Sequence, residues 1–171
     1  MSRSEDHSTT RPTIFVDADA CPVTAEAIAA ARKHSLRAVI AGNSTQNLTR
    51  HIRRADPREE TGGFWVDTLP VAVGSDSADF AIVEELSPGD IVVTQDIGLA
   101  AMALGRKAKA IGVRGRVFSL ATIDMDMEIR HQEKKVRRQG GRTKGPATFT
   151  EDDRAMFAAN LDRLIRGQME S

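Results

Sequence analysis

Residues 14–19 read IFVDAD and residues 91–96 read IVVTQD. In both stretches a short run of apolar, β-branched or aromatic residues leads to an aspartate. Continuous apolar runs of this length are typical of strands buried on both faces of a parallel sheet. Because the carboxyl ends of parallel strands meet at one edge of the sheet, we expect Asp17, Asp19 and Asp96 to lie together there.

The rest of the chain extends this pattern as an alternation of strands and helices. Strands are predicted at 13–16, 37–41, 64–73, 91–94 and 108–113, and helices at 23–33, 46–55, 77–86 and 99–104. A longer polar helix is predicted to end near residue 139, and a last helix to begin at Thr150 with a capping box to Asp153. This order predicts a three-layer α/β domain with a mostly parallel central sheet and a C-terminal helical extension.

Length and composition fit one globular domain. With 171 residues, 40% hydrophobic and 28% charged, the chain is expected to form a single domain over residues 12–171, preceded by a flexible tail over residues 1–11. The formal net charge is zero, so any contact with a polyanion must come from a local patch.

Localisation is inferred from cysteine content and hydropathy. The sequence contains one cysteine, Cys21, and no apolar run long enough for a signal peptide or a membrane helix. We therefore expect a cytoplasmic protein without a membrane anchor. Cys21 precedes Pro22 at a predicted helix start, where it is either a reactive thiol or, as we favour, a small residue that closes the turn.

Two more aspartates, Asp76 and Asp79, lie one helical turn apart where the chain leaves the predicted strand 64–73. Any one of these acids is explained as a helix cap, because aspartate accepts hydrogen bonds from free amides at helix N-termini. Several carboxylates at one edge, however, repel one another unless a cation compensates. The sequence therefore predicts a site for Mg²⁺ or Mn²⁺. Its ligands are expected to be Asp17, Asp19, Asp76, Asp79 and Asp96.

These motifs resemble two groups of known proteins. The motif DFAI at 79–82, followed by Asp96 at 17 positions from Asp79, resembles the later acidic motifs of the PIN-domain nucleases, and Asp17 matches their first-strand aspartate. Four segments more closely resemble the bacterial YaiI/YqxD family, which is regarded as PIN-like. These segments are VDADACP (16–22), DSAD (76–79), DIVVTQDIGL (90–99) and RTKGP (142–146).

The resemblance implies a PIN-like fold and a metal-dependent nuclease that hydrolyses phosphodiester bonds, with RNA as the favoured substrate. Asp17, Asp79 and Asp96 are the implied catalytic residues. One departure is that no residue here matches the further acid that PIN nucleases carry on an intervening helix.

Two other functions stay open at this point. The chain is alternatively a non-catalytic module that binds RNA or a protein partner and keeps a metal site. A phosphatase of the haloacid-dehalogenase kind is also considered, because Asp17 and Asp19 follow an apolar strand as its nucleophile and acid do. No convincing lysine of that family is found.

A local excess of basic residues follows Arg130. Between Arg130 and Lys144 the chain carries seven basic residues and the single acid Glu133. Such a run is either a solvated helix face or a patch that contacts nucleic-acid phosphates. The residues expected to contact nucleic acid are Arg114, Arg130, Lys134, Arg138, Arg142 and Lys144.

Overall fold

A computed structural model describes residues 11–19, 21–43, 48, 64–72, 77–142 and 147–170. The strands are β1 (Ile14–Asp17), β2 (Arg37–Asn43), β3 (Trp65–Val71), β4 (Ile91–Val93) and β5 (Lys109–Ile111). The helices are α1 (Thr24–Lys33), α2 (Ser77–Glu85), α3 (Ile97–Gly105), α4 (Leu120–Arg138) and α5 (Glu151–Met169). None of these helices is both long enough and apolar enough to cross a membrane.

The strands form one parallel sheet in the order β3-β2-β1-β4-β5. The chain builds β1, β2 and β3 outward in one direction, then returns to the other side of β1 and continues outward through β4 and β5. The direction of strand addition therefore reverses between β1 and β4, which pair with Phe15 opposite Val92 and Val16 opposite Val93. In open α/β sheets, ligands bind at the carboxyl edge beside such a reversal.

Side chains that alternate along the strands build a core on each face of the sheet. Ile14 and Val16 pack into a cluster with residues of α1 and α5. Phe15 and Val92 face the other way and pack with residues of α2 and α3. Both faces of the sheet are thus covered by helices, which confirms the expected three-layer α/β fold.

Helix α5 is the C-terminal extension, and it packs against α1. Its capping box between Thr150 and Asp153 is present as predicted. Past the middle of α5, Asp162 accepts a hydrogen bond from His34 Nε2 at 2.7 Å and forms an ion pair with Lys33 Nζ at 3.0 Å. Hydrogen bonds from His34, then Arg166 and Lys33, hold the pKa of Asp162 well below its usual range. The polar contacts thus fix the end of α1 against α5.

Most predicted elements are found, with shifts at their ends. Strand β5 is shorter than the predicted 108–113, because the backbone turns after Ile111 through Gly115, whose φ is +92°. Pro70 lies in β3, an edge strand, which is the position that tolerates a residue without an N–H. The helix predicted at 46–55, apart from Leu48, and the tail residues 1–10 lie outside the described part of the chain.

We expect Leu161→Ala to lower the free energy of unfolding by about 2–5 kcal/mol, because Leu161 is fully buried between α5 and the sheet and its truncation leaves a cavity. Leu120→Ala is the matched control. Leu120 is 69% exposed, so the same chemical change there should alter stability by less than about 0.5 kcal/mol. Urea denaturation of the two variants measures the difference, and equal effects would contradict the described core.

Candidate functional site

The candidate site lies where β1 and β4 end side by side. Asp17 is the last residue of β1, and Thr94 directly follows β4. The Thr94 hydroxyl donates to Asp17 Oδ2 at 3.0 Å and accepts from the Asp96 backbone N–H at 2.9 Å. One buried hydroxyl therefore links the ends of β1 and β4. It holds the carboxylate of Asp17 and the backbone of Asp96 in place.

Asp17 is a buried carboxylate in an acidic neighbourhood. Burial raises the pKa of Asp17, hydrogen bonds from the Asp19 backbone N–H and from Thr94 oppose that rise, and the charges of Asp19 and Asp96 add to it. The Asp19 N–H reaches Asp17 Oδ1 at 3.2 Å. Both oxygens of Asp17 are thus hydrogen-bonded, yet burial and the neighbouring negative charges still disfavour its ionised form.

Asp96 serves as the N-cap of α3 and also forms an ion pair. Its Oδ1 accepts from the backbone N–H groups of Gly98 at 2.8 Å and Leu99 at 3.4 Å. The same oxygen is 3.0 Å from Arg130 Nη1 on α4. The capping role that aspartate often plays is therefore real at this position, and it leaves Oδ2 outside these bonds.

The remaining predicted ligands are less closely joined to this pair. Asp79 is buried in the first turn of α2, and Asp19 is exposed just beyond β1. Asp76 lies outside the described residues. Within the described part of the chain, no three His, Cys, Asp or Glu side chains are grouped closely enough to hold a metal ion.

The carboxylate side chains at this edge are ligands of the chemical type that binds a hard divalent cation. Carboxylate oxygen is the ligand that Mg²⁺ and Mn²⁺ prefer, and Asp17 and Asp96 supply two such groups at the reversal of the sheet. A cation there would offset both the burial of the Asp17 charge and its repulsion by Asp96. A third acid would have to come from a shift of Asp19 or Asp79 or from a residue outside the described ranges.

A cavity of about 470 Å³ opens at the same edge of the sheet. Arg114 is its cationic residue, and it is held by an ion pair to Asp153 at 2.7 Å and by stacking of its guanidinium over the Phe149 ring. The volume is within the range of small-molecule sites in proteins. The lining consists of Ala18, Cys21, Pro22, Gln95, Val113, Arg114 and Phe149.

The basic residues of α4 continue outward from this edge. Arg130 contacts Asp96, and Lys134 and Arg138 follow it at intervals of four residues, so the three share one side of the helix. Lys134 and Arg138 are exposed, as is Arg142 beyond the helix end. Lys144 lies outside the described residues.

Cys21 lines the cavity as a half-buried thiol. Burial is the main cause that raises the pKa of Cys21, and the charges of Asp17 and Glu26 add to it. A raised pKa keeps the thiol protonated and weakly nucleophilic at neutral pH. This agrees with the expectation that Cys21 closes the turn before α1.

Two contacts of the site exceed what the sequence indicated. The Thr94 hydroxyl accepts from the Asp96 N–H and also donates to Asp17 on the neighbouring strand. Arg130 was expected to contact nucleic acid, and here it binds a carboxylate that lies 34 positions earlier in the chain. No local pattern signals a pair so distant in sequence.

Fold and site together define a three-layer α/β protein with carboxylates at the reversal of a parallel sheet. Residues 15–167 match the family described as "Uncharacterized BCR, YaiI/YqxD family". The chain belongs to the YaiI/YqxD family, as the sequence motifs indicated.

Curated relatives agree with this assignment. A UPF0178 protein of Exiguobacterium sibiricum is 40% identical over 152 residues, which cover 89% of this chain and 95% of that protein. A UPF0178 protein of Bacillus pumilus is 36% identical over 165 residues, covering 96% and 92%. One of Brucella ovis is 38% identical over 152 residues, covering 89% and 88%. No solved structure matches the chain.

We expect Asp17→Asn to remove part of the pH dependence of stability. Because burial raises the pKa of Asp17 above its ordinary value of 3.8, the folded state binds the proton more tightly than the unfolded state. Stability should therefore fall as pH rises from 3.8 through the folded pKa. Asparagine has no such charge and still accepts the Thr94 hydroxyl. Urea titrations between about pH 3 and pH 7 test this, and identical slopes for both proteins would contradict it.

Proposed function

We propose that this protein is a metal-dependent phosphodiester hydrolase, with RNA as its leading substrate. The observation that carries the proposal is that one hydroxyl joins the Asp17 carboxylate to the backbone N–H of Asp96 at the reversal of the sheet. There the buried Asp17 and the cap residue Asp96 share the hydroxyl of Thr94. A buried negative charge at the ligand-binding edge of a parallel sheet is chemically suited to a cation.

The proposed ligands of Mg²⁺ or Mn²⁺ are Asp17, Asp79 and Asp96, with Asp19 and Asp76 as accessory acids. Such an ion, when bound, would polarise a phosphoryl oxygen and lower the pKa of an attacking water. The protein's own part is to hold the carboxylates in place. Thr94 fixes Asp17 by donating to it and fixes the start of α3 by accepting from the Asp96 N–H.

Substrate binding is proposed to use the basic side of α4. Arg130, Lys134 and Arg138 lie in a line that starts at Asp96, so a phosphodiester backbone bound along them would lead to the carboxylates. Arg142, Lys144 and Arg114 are the further proposed phosphate contacts. Lysine and arginine read phosphate charge rather than base identity, so binding should be strongly salt-dependent and weakly sequence-specific.

Arg130 has a second part in this proposal. Its guanidinium donates to the same oxygen of Asp96 that caps α3, and it thereby neutralises a carboxylate proposed to bind metal. A substrate phosphate is a competing anion for Arg130. Binding of the backbone would therefore release Asp96 for the metal, so that substrate and metal would favour each other.

A non-catalytic RNA-binding or partner-binding module is the second candidate. It is favoured by the absence of any close three-acid group among the residues that the structure describes. The capping and ion-pairing of Asp96 also account for that residue without a metal. Salt-dependent RNA binding that survives Asp79→Asn and Asp96→Asn, without turnover, would support this candidate over the hydrolase.

We expect Asp17→Asn and Asp96→Asn to weaken Mn²⁺ binding at least about tenfold and to abolish Mn²⁺-dependent RNA cleavage, because each removes a charged ligand. Asp90→Asn is the matched control. Asp90 is also buried with its pKa raised by burial, but it accepts from the Thr13 and Ser87 backbones at the opposite edge of the sheet. Isothermal titration with Mn²⁺ and cleavage of labelled RNA are the measurements.

The hydrolase proposal fails if the wild-type protein binds no Mn²⁺ and cleaves neither RNA nor DNA. It also fails if Asp90→Asn lowers binding as much as Asp17→Asn does while all three variants remain folded. Circular dichroism and urea denaturation establish folding in each case.

Arg130→Ala should raise the affinity for Mn²⁺ without nucleic acid by roughly threefold, since a partly exposed ion pair is worth less than about 1 kcal/mol. The reason is that Asp96 would no longer be neutralised within the chain. Arg130→Lys keeps the positive charge and should leave the affinity near that of wild type. Titration of the free protein with Mn²⁺ gives the result, and a weaker affinity in Arg130→Ala would refute the competition.

A further inference from the structure

Helix α4 carries an exposed apolar stripe that the proposed site does not use. Met125 is 68% exposed, Ile129 52% and Val136 40%. They are spaced at i, i+4 and i+11, which places them on one side of the helix. The residues of α4 that face the protein, Ile123 and Asp126, lie on another side. Helix α4 therefore has two distinct sides of this kind. One packs on the protein, and the other is the exposed apolar stripe.

The second half of α4 stands clear of the rest of the described chain. Every residue from 131 to 142 is exposed. The helix nevertheless ends in an ordered Schellman motif, in which Gly140 has a φ of +78° and the Gly141 N–H donates to Val136 O at 2.9 Å. A helix end without tertiary packing is marginal in water, so a protruding and well-capped amphipathic arm is suited to packing against a partner.

Charge is segregated along the same helix. Residues 120–129 contain Asp124, Asp126 and Glu128 and no basic side chain, whereas residues 130–138 contain five basic side chains and only Glu133 as an acid. This polarity also complements the helix dipole. It makes α4 complementary in charge to a copy of itself that runs in the opposite direction.

We propose that two copies of this chain associate through α4, with the two helices antiparallel across a twofold axis and the Met125, Ile129 and Val136 stripes in contact. The spacing of the stripe matches alternate a and d positions of a heptad, with Gln132 as the polar member of the seam. A twofold arrangement brings the same patch of each chain together, so every contact occurs twice.

The flanking charges fit this pairing. Glu128 and Lys135 each directly precede a core position of the seam, and antiparallel pairing sets Glu128 of one copy near Lys135 of the other. Asp126, which follows Met125, is turned toward its own chain, where it is buried and ion-paired with Arg116 at 2.5 Å. Its charge is therefore offset and does not oppose the approach of the second copy.

A second copy fits this stripe better than RNA does. The basic line of Arg130, Lys134 and Arg138 is on a different side of α4 from Met125 and Ile129, and Arg130 faces the carboxylates. Phosphate contacts require the basic side, while the apolar side has no aromatic residue on which bases stack. Pairing of two chains through the stripe would leave the basic side of each α4 accessible to nucleic acid. The proposed association therefore does not depend on the proposed hydrolase activity.

The test is a charge exchange followed by sedimentation equilibrium of the full chain. The stripe is short, roughly 16 Å from Met125 to Val136, so we expect a dimer with a dissociation constant in the micromolar range, on the order of 1–100 μM. Glu128→Lys and Lys135→Glu should each weaken it about tenfold, because each sets like charges opposite one another twice. The double variant should restore wild-type association.

Ile129→Ser supplies an independent arm and should leave the protein monomeric at all concentrations, because it places a hydroxyl in the centre of the seam. A wild-type protein that is monomeric at several hundred micromolar overturns the proposal. So does a double variant no stronger than the single variants, or an Ile129→Ser variant that loses RNA binding with its mass unchanged. The last result would assign the stripe to RNA.

Discussion

The parallel pairing of β1 with β4 is the constraint on which the structure depends. Strand addition reverses direction between these two strands, so their carboxyl ends are neighbours although Asp17 and Asp96 are 79 positions apart in sequence. The runs IFV and IVV can sit at this place only because helices cover both faces of the sheet, and the helices in turn need those runs for their own apolar sides. The candidate site is thus a consequence of how the core is layered.

The chemistry of the site follows from placing charge beside that core. Asp17 ends a fully buried strand, so its carboxylate is partly desolvated and its ionised form is disfavoured. The fold meets this with two neutral donors, the Thr94 hydroxyl and the Asp19 backbone N–H, which bind the two carboxylate oxygens of Asp17. Asp96 has a different environment, because the N-terminus of α3 and the Arg130 guanidinium both place positive charge beside its carboxylate. Two aspartates at one edge therefore have different environments, and the proposed metal chemistry draws on that difference.

The sequence predicted what local patterns encode. Alternation of apolar runs with helical periodicity was enough for the three layers, and the strand-end rule was enough to place Asp17 and Asp96 at one edge. The contact of Arg130 with Asp96 was not predictable, because it depends on the angle at which α4 crosses α3. The same limit applies to Asp79, whose burial in α2 depends on how that helix packs on the sheet. An aspartate after a strand can be either a helix N-cap or a metal ligand. The sequence pattern alone therefore did not separate these two roles for Asp96.

Helix α4 joins two surfaces that are otherwise separate. One side holds Asp96 through Arg130, and another side carries the apolar stripe around Ile129, one residue earlier in the chain. A rigid helix cannot rotate at one of these positions without rotating at the other. One helix therefore sets both the place of the guanidinium that pairs with Asp96 and the direction in which the apolar stripe faces, so the angle between the two surfaces is fixed by how α4 packs on α3.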